Sequence, residues 1–217
     1  MEGGSPDSLS YRSEIARKTI HLSSAAIPIL YFFTPRDTTL WLLGLVTAAV
    51  VSIDIARYYH RPLEEWFNAT FGSLLRHHES DTRAKRLSGA SYVMISATLS
   101  VLIFPKLIAI TSFLVLIIAD ATSALIGRRF GRHRFLGKSL EGSLAFFFSA
   151  LAVVVLTPKI EYAGGEYLLG GVAAGAGALV EALPWGVDDN LTIPLSVGAV
   201  LWAGYTLFFP ALNLNKF

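Results

Sequence analysis

The sequence predicts an all-α polytopic membrane bundle, with about seven transmembrane helices, a cytosolic N-terminus and one amphipathic helix in the inner interface. Three observations carry this expectation. Hydrophobic residues make up 53% of the 217-residue chain and charged residues only 16%, against roughly 25% charged in a soluble domain; mean hydropathy is +0.53. Seven apolar stretches approach the about 20 residues that a bilayer-crossing helix needs. Lysine and arginine concentrate in alternate connecting segments. This balance excludes a disordered chain and argues against an ordinary soluble globule. The absence of cysteine excludes a disulfide scaffold and thiolate-ligated metal. A net charge of +2 gives no case for nucleic acid as a partner.

Taken in order, the predicted spans are Ile15–Phe33, Thr38–Ala56, Ser88–Phe104, Lys106–Ile126, Leu140–Leu156, Glu166–Leu183 and Leu191–Phe209. The fourth, centred on LIAITSFLVLIIA, is the clearest. The first carries Arg17, Lys18 and His21 in its opening turns, so its start extends out of the hydrocarbon. Residues 1–12 are small and polar and read as a tail on a single membrane domain of residues 1–217, without a secretory signal. With the N-terminus inside, fourteen of the eighteen lysines and arginines fall on inner segments; only Arg36, Lys106, Lys159 and Lys216 fall outside. That asymmetry sets the orientation. In the long inner loop, PLEEWFNATFGSLLRHHE spaces Leu63, Trp66, Phe67, Phe71, Leu74 and Leu75 helically. It reads as a helix lying in the interface or packed on the bundle.

Ionisable groups beside membrane spans are costly and point to function, and nearly all of them here sit at the inner face. Asp120 ends an apolar run. Gly127, Arg128, Arg129 and Gly131 follow, and Gly137-Lys138-Ser139 opens the fifth span, with Glu141 and Gly142 in its first turn. A helix N-terminus offers unpaired N–H groups and a positive dipole end. With Ser139 as N-cap, Gly137 admitting close approach, and Lys138 and the arginines nearby, this predicts a phosphate site. It is not a P-loop, since five residues separate Gly131 from Gly137 and a helix, not a strand, precedes them. Weaker versions are Ser88-Gly89 opening the third span and Asp189-Asn190 opening the seventh. Glu181, Asp188 and Asp189 lie on an acidic loop without lysine or arginine. Beside a basic cradle they suggest Mg²⁺ (or Mn²⁺) held between protein and phosphates, with Asp120 a further ligand if the fourth and seventh spans are neighbours. Lys18 and His21 share a helix face, as do Asp54 and Arg57, which can pair. His21 is read equally as a satisfied bundle histidine and as a catalytic one.

On these residues the sequence resembles the CTP-dependent lipid-alcohol kinases (dolichol, phytol and farnesol kinases and the yeast-type diacylglycerol kinase). The matching stretches are Arg17-Lys18-Thr19-Ile20-His21, Ser88-Gly89-Ala90, Asp120-Ala121 with Gly127 and Gly131, Gly137 to Gly142, and Glu181 followed by Asp188-Asp189-Asn190 and Pro194. More distantly it is similar to the phosphatidate cytidylyltransferases, but the turn GKSLEG lacks the extra lysine and the tryptophan of those enzymes. The resemblance implies transfer of the γ-phosphoryl of CTP to a membrane lipid alcohol. Asp120, Lys138 and Asp189 are then the catalytic candidates, and a compact bacterial-type member sits in the inner membrane with its site facing the cytosol. A cytidylyltransferase making CDP-diacylglycerol is the alternative, and a lipid-binding or transport protein the second. The expected partners are the lipid and the nucleotide; a homodimer is left open.

Overall fold

The computed structural model describes residues 11–72, 86–184 and 186–214, and these are almost entirely helical. In chain order the elements are α1 (Tyr11–Ser23), α2 (Ala26–Phe33), α3 (Arg36–Ala56), α4 (Arg61–Phe71), α5 (Gly89–Ile103), α6 (Lys106–Phe130), β1 (Arg134–Phe135), β2 (Lys138–Ser139), α7 (Leu140–Leu156), α8 (Gly164–Ala182) and α9 (Asp189–Phe208). Among the described residues, α3, α6 and α9 are long and apolar enough to cross a bilayer, while α5 and α7 are apolar but shorter.

Helix α6 is the axis of the bundle. It packs against α1, α2, α5, α7 and α9 and buries Val115, Leu116, Ile117 and Ala119 completely. Consecutive long helices run antiparallel. Thr47 meets Thr98 at 2.8 Å while Arg36, at the start of α3, donates to the Val101 carbonyl at the end of α5. Thr122 meets Ser149 at 2.7 Å between α6 and α7. Around the rim, Trp41, Leu45, Leu30, Phe33, Phe148 and Leu168 face outward, an apolar girdle suited to hydrocarbon rather than water.

The single first span is corrected to two helices. α1 ends at Ser23 and α2 begins at Ala26. Pro28 is the cause: its ring would collide with the Ser24 carbonyl four residues back, and it has no N–H to bond there. At 13 and 8 residues the two helices measure about 20 and 12 Å. The amphipathic helix is present as α4, where Phe67 lies 4.6 Å beneath the Arg57 guanidinium and Trp66 remains exposed. The predicted continuation through residues 73–79 lies outside the described residues. An unexpected two-strand hairpin precedes α7, pairing Arg134 with Ser139 and Phe135 with Lys138. Its turn holds Leu136 at a φ of 51°, a conformation unfavourable for a side-chain-bearing residue.

Candidate functional site

The charged side chains gather where α1, the C-terminal half of α6, the hairpin, the end of α8 and the start of α9 converge. On α1, Lys18 Nζ donates to Asp120 Oδ2 at 2.5 Å, and His21 Nε2 stands 3.5 Å from the same oxygen. The helical three-residue spacing thus brings both side chains to one acceptor. Lys18 is 2% exposed and Asp120 7%. Each would be costly alone, since removing one partner of a buried pair costs about 3–5 kcal/mol. No described residue bonds Asp120 Oδ1.

The second centre is Lys138. Its ammonium donates to Glu181 Oε1 at 2.7 Å and to Asp189 Oδ2 at 2.8 Å. Burial works against that charge, but Asp189 and Glu181 outweigh it and hold Lys138 above the ordinary lysine range. Ser123 of α6 donates to the same Glu181 oxygen at 2.7 Å. The Gly137 N–H donates to the Ala182 carbonyl at 2.8 Å, so the hairpin is tied directly to the C-terminal end of α8. A side chain at Gly137 would press on that carbonyl and on Pro184. The glycine–lysine–serine turn and the acidic loop therefore meet at one end of the bundle, and α6 and α9 are packed neighbours.

The glycines sit at points of close approach between elements. A Cβ on Gly142 would sit 3.3 Å from the Gly127 Cα, and one on Gly131 2.9 Å from the Ser139 Cβ. Gly127, Gly131 and Gly142 let α6, the hairpin and α7 close together. Ser139 caps α7, accepting from the Gly142 N–H at 3.2 Å. Glu141 folds back onto the segment before the hairpin. It accepts from the Arg132 and His133 N–H groups at 3.1 and 3.3 Å and lies 2.7 Å from His133 Nδ1.

In the acidic loop Asp188 is the N-cap of α9, which opens at Asp189: its Oδ1 accepts from Asn190 N at 2.9 Å and Asn190 Nδ2 at 2.7 Å. Among the described residues no three carboxylates or imidazoles converge as a metal-ligating group. The expected set of Asp120, Glu181, Asp188 and Asp189 is divided: Lys18 holds Asp120, the α9 cap holds Asp188, and Glu181 and Asp189 share Lys138.

Asp54, Arg57, Ser88 and Gly89 build a second network. Arg57 Nε lies 2.7 Å from Asp54 Oδ1. Asp54 Oδ2 accepts from the Ser88 N–H at 2.6 Å and from Ser91 Oγ at 2.7 Å. Ser88 caps α5, whose first residue is Gly89. This network anchors α5 to the end of α3.

Arg129 stacks on Phe130 at 5.3 Å. Arg128 reaches 3.3 Å from Glu14, a residue 1% exposed that was not singled out in the sequence. Its only sequence signal is position, three and four residues before Arg17 and Lys18, the spacing of a shared face. Ser123 was also missed, and nothing local marks it.

A helical membrane bundle with lysine-bridged carboxylates at one end is the class that fold and site define. The chain belongs to one family with the uncharacterized protein RP860 of Rickettsia prowazekii, to which it is 31% identical over 185 residues, covering 84% of this chain and 90% of that protein. It is 26% identical over 211 residues to the CTP-dependent diacylglycerol kinase 1 of Schizosaccharomyces pombe, spanning 89% of this chain and 94% of that one. It is 28% identical over 206 residues to the phytol kinase of Synechocystis, spanning 90% and 82% respectively. No family model matches the chain, and no solved structure matches it.

Proposed function

We propose that this chain is a membrane-embedded kinase that transfers the γ-phosphoryl group of CTP to the hydroxyl of a lipid alcohol. The observation that carries the reading is the convergence of Lys18–Asp120 and Lys138–Glu181–Asp189 at one end of an apolar bundle, in a chain similar along most of its length to two lipid-alcohol kinases. Seven passes, counting α1 and α2 as one, with the charged end in the cytosol, agree with the arginine and lysine asymmetry.

A divalent cation fits the acidic half of the site. Glu181 Oε2 is buried without a partner among the described residues, and carboxylate oxygens are hard donors of the kind Mg²⁺ takes. Glu181 and Asp189 would hold it, with Lys138 released towards the phosphates. When bound, the ion neutralises charge on the transferring phosphoryl group. The chain's own residues do the rest. Lys18 fixes the Asp120 carboxylate by one oxygen, so that the other accepts the hydrogen bond of the lipid hydroxyl and then its proton as the oxygen attacks. The γ-phosphorus–oxygen bond breaks in line and CDP leaves. Lys138 and the arginines meet the negative charge. Positioning and electrostatics supply most of the acceleration, as in other phosphoryl transfers.

The test is isotopic. With CTP labelled at the α or γ phosphorus and diacylglycerol, phytol or a polyprenol as acceptor, the γ label alone is expected in the lipid phase. α label in the lipid would mean cytidylyl transfer and would overturn the reading.

A further inference from the structure

Glu14 is buried at 1% exposure, yet it is not used to close a loop or cap a helix. Its two oxygens meet two arginines on different helices: Arg17 Nη2 of α1 at 2.5 Å and Arg128 Nη2 of α6 at 3.3 Å. Arg17 Nε is buried without a partner among the described residues. Both guanidiniums reach the surface, at 20% and 37% side-chain exposure. Around this carboxylate three cations, Arg17, Lys18 and Arg128, face two anions, Glu14 and Asp120. Around Lys138 one cation faces two anions, Glu181 and Asp189. Among these buried clusters a polyphosphate therefore finds a surplus of positive charge on the α1–α6 side and not in the contacts around Lys138. Paired guanidiniums also match phosphate oxygens in a way a single ammonium does not.

We propose that Glu14 is a positioning residue that fixes Arg17 and Arg128 as a paired seat for the terminal phosphates of the nucleotide. A carboxylate held away from water between two guanidiniums restricts both without cancelling both, so one net positive charge remains for the ligand. The inference rests on the kinase reading for the identity of the nucleotide, but not for the anion site.

The experiment is equilibrium binding of CTP and of inorganic tripolyphosphate to the purified full chain in detergent, read for the wild type, Glu14→Gln, Glu14→Asp, Arg128→Gln and the double variant Glu14→Gln/Arg128→Gln. Glu14→Gln and Arg128→Gln are each expected to weaken tripolyphosphate about tenfold, the double variant to bind no more weakly than Arg128→Gln alone, and Glu14→Asp to recover part of the loss, because residues acting through one another are non-additive. Melting curves on the same samples separate lost binding from lost folding. Should Glu14→Gln fail to fold, Glu14→Asp against Arg128→Gln decides. Additive losses, or unchanged tripolyphosphate binding in Arg128→Gln and Glu14→Asp, would overturn the proposal. Tripolyphosphate binding that behaves as expected in a protein that moves no γ label would remove the kinase reading and leave the anion seat standing.

Discussion

The two ends of the bundle both bury charge, and they do so in opposite ways. At the end described above, charge meets charge across helices: Lys18 with Asp120, Lys138 with Glu181 and Asp189, and Glu14 with two arginines. At the far end, charge meets backbone. Lys159 is 4% exposed, and its ammonium donates to the Val154 and Thr157 carbonyls at 2.5 and 2.7 Å, closing the end of α7. Glu166 accepts from the N–H groups of Ile160, Glu161 and Ala163 at 2.9, 3.0 and 3.1 Å and from the Tyr205 hydroxyl at 2.9 Å. Arg36 donates to carbonyls at the end of α5. Groups bonded to fixed backbone cannot exchange partners without undoing a helix end. Groups bonded to other side chains can trade them for a ligand. Buried charge at the far end is fixed to helix ends, while Lys18, Lys138 and Glu14 at the other are held by side chains.

Substitutions sharpen this contrast. Asp120→Asn should remove γ-phosphoryl transfer by a factor of about 10³ or more, the scale of a lost transition-state contact, with a folded protein still recovered in detergent. Near-normal turnover would break the comparison. Lys138→Met should follow, at about 10²-fold in turnover with CTP and lipid. Glu166→Gln should behave oppositely: a loss of about 2 kcal/mol in unfolding free energy from imperfectly satisfied N–H groups, with turnover per folded molecule within about twofold. A large activity loss there would mean that the far end is not purely structural. Ser139→Ala removes only the cap of α7 and should cost about 1 kcal/mol, read from the same melts.

Acidity offers the mildest test. Asp189 and Glu181 overcome burial to raise Lys138 above its ordinary value. Its contribution is thus fully present below about pH 10.4, the unfolded lysine value, and is lost only as pH rises through the higher folded one. Stability profiles of the wild type and Lys138→Met should therefore run parallel between pH 7 and 9.5 and converge only above that. Convergence near neutrality would show that the lysine is not paired as described.

Much of the charged end was legible because helical spacing is local. Lys18 and His21 share a face and share Asp120; Asp54 and Arg57 pair; Ser88 and Ser139 cap the helices they precede. The long apolar runs likewise delimit α3, α6 and α7 within a few residues. The break between α1 and α2 was readable from Pro28, but hydropathy averages over it. The hairpin was not readable, since strands of two residues have no periodicity and Leu136 adopts its left-handed turn against its own preference. Nor was the role of Glu14 or Ser123. Each is defined by a partner on a distant helix: α1 packed on α6 brings Glu14 to Arg128, and the end of α8 brings Glu181 to Ser123. The four expected metal carboxylates are divided among different partners for the same reason, because adjacent aspartates at a helix start point to different tasks.

Where Gly127 of α6 meets Gly142 of α7, the two helices approach through bare hydrogens. Asp120 lies upstream of the first glycine and Lys138 shortly before the second. One added methyl group would act as a wedge, prising the acid of one helix away from the base that precedes the other. The distance between the two charge clusters is gauged by the smallest side chain available.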